Sequence, residues 1–549
     1  MKTISYLPRR SRMLLFAFPW YCAASVLCAK SAAQLVPLPA AAVLRADDYR
    51  HYIDQFNAQD NELYADQESI RNADAWPFLQ QNIPLFDCPD SAMEEIYYFR
   101  WWTYRKHIEK TPDGYVITEF LPKVPWAGKY NTIDCAAGHH IYEGRWLRNP
   151  VYTGDYINYW LRKGSRLRQY SFWIASSVWE RACVTGNFAE AENWLDPLIA
   201  NYNGWSRERQ GSNGLYWQFD GADGMEMSIG GRGYRATINS YQYGDARAIA
   251  ALAGMAGRQQ VAQDFQNKAA RLKKLVQESL WDPKDQFFKV SPIALKADPN
   301  AVANPLPLIS TRELHGYTPW YFDLPDADKS IAWKQLMDPR GFYAPFGPTT
   351  TEQRDPRFAI SYKGHECQWN GPSWPFATSI TLTAMANLLD NYQQNAVSAA
   401  DYFNLLQIYT KSQHLRQDNG RIVPWIDEDL NPRTGEWLAR AILKQMPASR
   451  KPIYERGKDY NHSTYCDLII SGLVGLRPRA DNIVEVRPLV PPGTWDYFCL
   501  DGVPYHGHTL TILYDKTGTR YRKGAGFAVL SDGRPIATSR SLGPLTGKL

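Results

Sequence analysis

One contrast runs through most of this chain and limits what it can become. Stretches of alanine and leucine with interspersed charge, at helical spacing, alternate with long segments rich in Gly, Pro and Trp. The helical spacing covers Ala246 to Gly257, Val261 to Leu280, Thr378 to Leu389, Tyr402 to Gln413 and Asp467 to Leu476. The intervening segments, 121–147, 204–245, 339–375 and 419–465, read as loops. Loops of that length are uncommon in a compact domain unless they carry function. Helices joined by alternating short and long loops predict a mainly α fold, a helical toroid whose long loops gather at one end around a pocket. A solenoid would show a repeat of fixed period, and none is visible.

The pattern divides the chain into four parts. Residues 1–33 read as a secretory signal peptide: Lys2, Arg9, Arg10 and Arg12 precede an apolar run, Met13 to Ala29, with small residues at Ser31-Ala32-Ala33. A membrane anchor is the rival, but the run is short and contains Pro19. Residues 34–89 are mixed and are expected to pack as a leader on the main domain. Residues 90–479 form the helical part. From 480 to 549 the period changes to two, in Val484-Glu485-Val486-Arg487 and His508 to Leu513, with turn signals at Asp501-Gly502 and Asp532-Gly533. That predicts a small antiparallel β module packed on the helices.

Charge follows from the first part. The formal net charge is +5. Cleavage after Ala33 removes Lys2, Arg9, Arg10, Arg12 and Lys30 and no acid, which brings it to zero. The basic balance is therefore no argument for nucleic acid. The reading is a secreted or periplasmic protein with no stable membrane insertion after signal cleavage. Six cysteines remain: Cys88, Cys135, Cys183, Cys367, Cys466 and Cys499. They are too sparse for a disulfide scaffold, although one or two bridges fit an oxidising compartment.

The chemistry sits in the loops. Asp223-Gly224-Met225-Glu226-Met227-Ser228 lies among Gly221, Gly230, Gly231 and Gly233, a setting that resists helix and admits a ligand closely. Glu226 is the candidate acid and Asp223 its local competitor; the bland alternative is a loop carboxylate that caps backbone amides. Glu428 sits in the triplet Asp427-Glu428-Asp429 before Asn431-Pro432, which alone reads equally as a solvated turn. Between them lies Trp369-Asn370-Gly371-Pro372-Ser373-Trp374-Pro375, suited to stacking on a sugar or to packing a corner. Glu366 and Glu455 are further carboxylates of interest. Trp126, Tyr130, His139 and His140, with Asp223, Arg235, Trp369, Asn370 and Trp374, are the expected substrate-binding set. The histidine pair beside Cys135 lacks metal-ligand spacing, so no metal or cofactor is expected.

These motifs, in this order, resemble the mannosylglycerate hydrolase-like glycosidases, relatives of glucosidase I in glycoside hydrolase family 63 and more distantly of trehalase. The matching segments are Gly224-Met225-Glu226-Met227-Ser228, Trp369 to Pro375, and Glu428-Asp429-Leu430-Asn431-Pro432-Arg433-Thr434-Gly435. The resemblance spans roughly residues 90 to 475. It implies an (α/α)6 barrel and an inverting mechanism with Glu226 as general acid and Glu428 as general base. Here the acid position holds Glu where the family has Asp, and Met227 stands where the family has Asn.

The expected function is hydrolysis of a glycosidic bond in an oligosaccharide, from the chain end, by two carboxyls roughly 6.5–9.5 Å apart. Rivals from other classes are a sugar epimerase using histidines, a β-L-arabinofuranosidase-like enzyme with Cys367 or Cys466 in a zinc site, and a non-catalytic glycan-binding protein. The expected partner is a carbohydrate. Sugar, linkage and oligomeric state are not legible.

Overall fold

A computed structural model describes residues 42–164, 166–293, 306–447 and 455–549; the expected signal peptide lies outside them. The fold is mainly helical with small antiparallel sheets. Among the described residues no helix is long and apolar enough to cross a membrane.

The helices form where alanine and leucine set the pattern, with boundaries given by local chemistry. Ala236–Met255 is buried along most of its length. Gln259–Ser279 packs against it through Ala262, Phe265, Ala269, Leu272 and Val276, spaced three and four apart on one face. Pro375–Asn391 starts at a proline whose missing N–H costs nothing in the first turn. Ala399–Ser412 begins with a capping box between Ser398 and Asp401. Ser91–Lys106 starts at Asp90, which accepts from the Met93 N–H, and buries Tyr97, Trp101 and Tyr104 in the core.

Several expectations need correction. The windows 121–147 and 204–245 contain Ala137–Gly144 and the start of Ala236–Met255, so their irregular parts are shorter than expected. The helix expected over Asp467–Leu476 forms, but as a π-helix over Leu468–Leu473 that ends short of Leu476. Asp532-Gly533 does turn between Gly526–Ser531 and Arg534–Ser539. Asp501-Gly502 does not: it lies inside Tyr497–Tyr505, where the register shifts between Asp501 and Val503. Gly502 has φ +78°, so it forms a bulge and bends the strand instead of ending it.

The larger sheet joins distant parts of the chain. Its order is Leu85–Asp87, Tyr497–Tyr505, His508–Asp515, Gly526–Ser531, Arg534–Ser539, all antiparallel. An early strand therefore completes a late sheet, and Asp87 pairs with Arg520 at 2.8 Å. A smaller sheet holds Leu476–Arg477, Ile483–Val486 and Leu545–Lys548. Among the described residues the six cysteines are free thiols.

Early residues also meet the loop after 455 through buried charge. Lys106 Nζ lies 2.8 Å from both Asp60 and Asp459 and 3.6 Å from Glu68. Arg105 and Lys458 complete the cluster. Asp459 immediately precedes Tyr460, which lines the site described next.

Candidate active site

A cavity of about 220 Å³ gathers loop residues from across the sequence. Both Glu226 and Glu428 line it, together with Trp126, Trp369 and Trp374 from the expected set. Glu366 and Cys367 also reach it, and so do Glu119, Tyr170, Arg456, Tyr460 and His462, none of which the motifs single out as site residues.

The loop carrying Glu226 is held by two buried braces. Arg235 Nε donates to Asp223 Oδ2 at 2.7 Å, and the same guanidinium reaches Ser228 Oγ and the Gly231 carbonyl. Glu313 accepts from the N–H groups of Ile229 and Gly230 at 2.7 and 3.1 Å. Gly224, at φ +68°, lets the chain turn where a Cβ would come within 2.5 Å of Cys135 Sγ. The Trp369 N–H donates to the Glu226 carbonyl at 3.1 Å, which ties the acidic loop to the aromatic one.

Glu428 is buried, not solvated, and so are Asp427 and Asp429. Each acid of the triplet has separate work. Asp427 pairs with Arg440 at 2.6 Å and accepts from the Glu428 N–H. Asp429 accepts from the Ala439 N–H at 3.0 Å. Leu430 exchanges backbone hydrogen bonds with Ser373 at 2.9 Å, docking the triplet on the tryptophan loop. Glu428 itself is an ion pair with Arg456, Oε1 to Nε 2.9 Å, and accepts from Cys367 Sγ at 3.3 Å. Arg456 also binds Glu366 at 2.9 Å.

The two carboxyls that line the cavity thus differ. Burial pushes Glu226 up to about 7, helped by the like charges of Glu428, Asp220 and Glu366. It is the group suited to hold a proton near neutral pH, while Glu428 is held by a guanidinium. That asymmetry is what general acid–base work at a glycosidic bond requires.

Aromatic rings form the walls. Trp369 and Trp374 stack on each other, centroids 4.8 Å apart, and Trp374 Nε1 donates to the Gln368 carbonyl at 2.7 Å. Trp126 stands at the rim, 36% exposed, with the Arg456 guanidinium 5.4 Å above its ring. Tyr460 stacks on His462 at 3.9 Å.

The rest of the expected binding set falls outside the cavity lining. Asp223 and Arg235 are consumed by their mutual brace, which removes the local competitor of Glu226 from the cavity wall. His140 bonds the Asn461 carbonyl at 2.6 Å and Tyr156, so it positions the 460–463 loop from behind. His139 is wedged edge-on between Trp173 and Phe376, and burial holds it well below its ordinary range. Tyr130 turns its hydroxyl to Asp113 at 3.0 Å. Asn370 accepts from the Ala359 N–H through its backbone carbonyl, and its side-chain Oδ1 is buried without a partner in the protein. Glu455 pairs with Arg440. Among the described residues no group of three or more His, Cys, Asp or Glu side chains is placed to hold a metal ion. Sequence held one clue to Glu119: an acid two residues after the apolar strand Gly114–Ile117 and before Phe120-Leu121 is a charge heading into the core.

A second hollow, of about 280 Å³, lies beside Arg145, Glu180, Arg247, Asp323 and Arg477. It contains none of the expected site residues. Its guanidinium groups are already engaged: Arg145 by Glu180 and Asp467, Arg477 by Asp390, and Arg247 by the Phe322 carbonyl.

Comparison with known proteins gives this geometry a family. A solved structure titled "Sialidase" superimposes with a TM-score of 0.83 at 42% identity, over 92% of this chain and 45% of that one. The chain thus spans less than half of that relative. The GH63 mannosylglycerate hydrolase of Thermus thermophilus gives a TM-score of 0.44 at 11% identity, covering 64% of this chain and all of that one. A GH78 family rhamnosidase of Bacillus sp. GL1 gives 0.49 at 12%, over 79% of this chain and 41% of that one. The glycosyl hydrolase family 65 C-terminal domain matches residues 476–537. The mannosylglycerate hydrolase MGH1-like glycoside hydrolase domain matches residues 129–463, more than half of the sequence, and the chain belongs to that glycoside hydrolase family.

Proposed function

We propose that this protein is an exo-acting, inverting glycoside hydrolase whose helical part is an (α/α)6 barrel. Glu226 is the general acid and protonates the leaving oxygen. Glu428 is the general base and activates water on the opposite face of the sugar. One observation carries the reading: the two glutamates, 202 positions apart, line one cavity in unlike environments, Glu226 half-buried and raised to about 7, Glu428 paired with Arg456. Size supports the exo mode. At about 220 Å³ the cavity is smaller than the roughly 300 Å³ at which pockets for drug-sized ligands begin, and suits one terminal sugar unit.

The same charges bear on the relative titled "Sialidase". A sialic acid would bring a carboxylate beside Glu366 and Glu428, which already share Arg456. The cavity favours an uncharged glycone. The basic and apolar N-terminus supports export, to the periplasm or the medium.

The test is a panel of 4-nitrophenyl glycosides of neutral sugars, with the N-acetylneuraminic acid glycoside beside them. Turnover of a neutral member, abolished in Glu428→Gln and, on the corresponding methyl glycoside whose leaving group needs a proton, in Glu226→Gln, with unchanged far-UV spectra, is the expected result. Near-normal rates in both variants refute the assignment. Proton NMR of the first-formed anomer checks inversion, and a retained configuration refutes it.

A further inference from the structure

The cavity contains a carboxyl group that the acid–base pair does not use. Glu119 lies two residues beyond the hairpin strand Gly114–Ile117, and its backbone is pinned from outside. The Asn461 N–H donates to the Glu119 carbonyl at 3.1 Å, and Asn461 Nδ2 to the Thr118 carbonyl at 3.2 Å. The Tyr460 hydroxyl donates to Glu119 Oε1. Tyr460 is itself fixed between the rings of His462 and Phe120, at 3.9 and 4.5 Å. The other oxygen, Oε2, is buried and has no partner in the protein.

Charge decides what form this group takes. Its neighbours include the acids Glu226 and Glu428, and Arg456 is committed to Glu428 and Glu366. A buried carboxylate without a counter-ion is strongly disfavoured. Burial first, and then those like charges, push Glu119 up to about 8 against the hydrogen bond from Tyr460. The neutral acid has one O–H to donate. Oε1 already accepts from Tyr460, so the proton belongs on Oε2, and Glu119 is one of the residues that line the cavity. The result is a buried donor without a partner in the protein, on a residue that lines the cavity and is as a whole about 5% exposed.

We propose that Glu119 is a substrate-binding, specificity-determining residue: its Oε2 meets a hydroxyl of the sugar ring lodged between Glu226 and Glu428, and so selects glycones that carry that hydroxyl. The proposal rests on the glycosidase reading above. It predicts discrimination by a hydrogen bond, because a site built to bond a hydroxyl rejects an analogue without it.

The experiment uses the 4-nitrophenyl glycoside that the wild-type protein turns over fastest, its monodeoxy derivatives, and the variants Glu119→Leu, Glu119→Gln and Tyr460→Phe. Wild type should lose about 10- to 100-fold in kcat/KM on one monodeoxy derivative, the range for a single unsatisfied hydrogen-bonding group. Glu119→Leu should lose as much on the parent glycoside and nothing further on that derivative. Glu119→Gln, which keeps a donor and an acceptor, should recover most of the rate, and Tyr460→Phe should cost less than Glu119→Leu. Equal losses for Glu119→Leu on the parent and on every deoxy derivative overturn the proposal, and so does an unchanged rate. Turnover that survives in Glu226→Gln and Glu428→Gln strikes the acid–base assignment alone, and the deoxy comparison at Glu119 still separates its two outcomes.

Discussion

Lys106→Met tests whether buried charge outside the cavity holds its wall in place. The cluster is balanced in the wild type: Asp60, Glu68 and Asp459 against Arg105, Lys106 and Lys458, every side chain at most 5% exposed. Lys106 touches all three acids, at 2.8, 2.8 and 3.6 Å. Its removal leaves one buried negative charge uncompensated, which costs about 3–5 kcal/mol. An unfolding entropy of about 2.1 cal/mol/K per residue over roughly 500 residues amounts to ~1 kcal/mol/K, so the melting temperature should fall by about 3–5 °C in scanning calorimetry. Adding Asp60→Asn removes the orphaned charge, so the double variant should be more stable than Lys106→Met alone. Acid pH supplies an independent check. Burial alone raises Asp60, but the ammonium groups of Lys106 and Lys458 outweigh it and hold the carboxyl well below its usual range. A depressed carboxylate stabilises above its unfolded value near 3.8 and loses that contribution as pH falls further. The wild type should therefore soften below about pH 4, and Asp60→Asn less so. A Tm loss under about 1 °C, or a double variant whose losses simply add, refutes the reasoning.

Three further outcomes follow from the site. With Glu226 raised to about 7, kcat/KM should fall as pH rises through about 7 and the acid loses its proton; Asp220→Asn, which removes one of the charges that raise it, should move that limb to lower pH in a pH–rate profile. Asp223→Asn leaves Arg235 buried without its carboxylate partner and should cost about 3–5 kcal/mol in calorimetry, while the basic limb stays where it is in the enzyme that remains folded; a missing limb would make Asp223 the acid. Trp126→Ala removes an exposed ring from the rim and should raise KM about two- to tenfold with kcat little changed, the scale of one aromatic contact.

Local chemistry made much of this protein legible in sequence. Helical spacing pointed to Gln259–Ser279 and Ala399–Ser412 because a 3.6-residue period and a capping box act within one segment. Glu226, Glu428 and the two stacked tryptophans stood out because loops rich in Gly, Pro and Trp are stiff and open at once. The motif at Asp427 to Asp429 was harder: three adjacent acids read as a solvated turn until Arg440, Arg456 and the Ala439 N–H, all later in the chain, are folded onto them. Asp501-Gly502 failed similarly, since a glycine with positive φ makes a turn or a bulge according to what pairs on either side.

What sequence alone determined was therefore the kind of element and the kind of chemistry: helices, alternating strands, paired carboxyls among aromatic rings. What only the tertiary structure decided was which groups share a low-dielectric space. Asp223 and Arg235 cancel each other in a brace, and His139 and His140 pack behind the wall, while Glu119 and Arg456, from segments 337 positions apart as 456 less 119, arrive at the cavity. Burial and through-space charge set the protonation and partners of these side chains. Both depend on distance in the fold, and no periodicity along the chain encodes that.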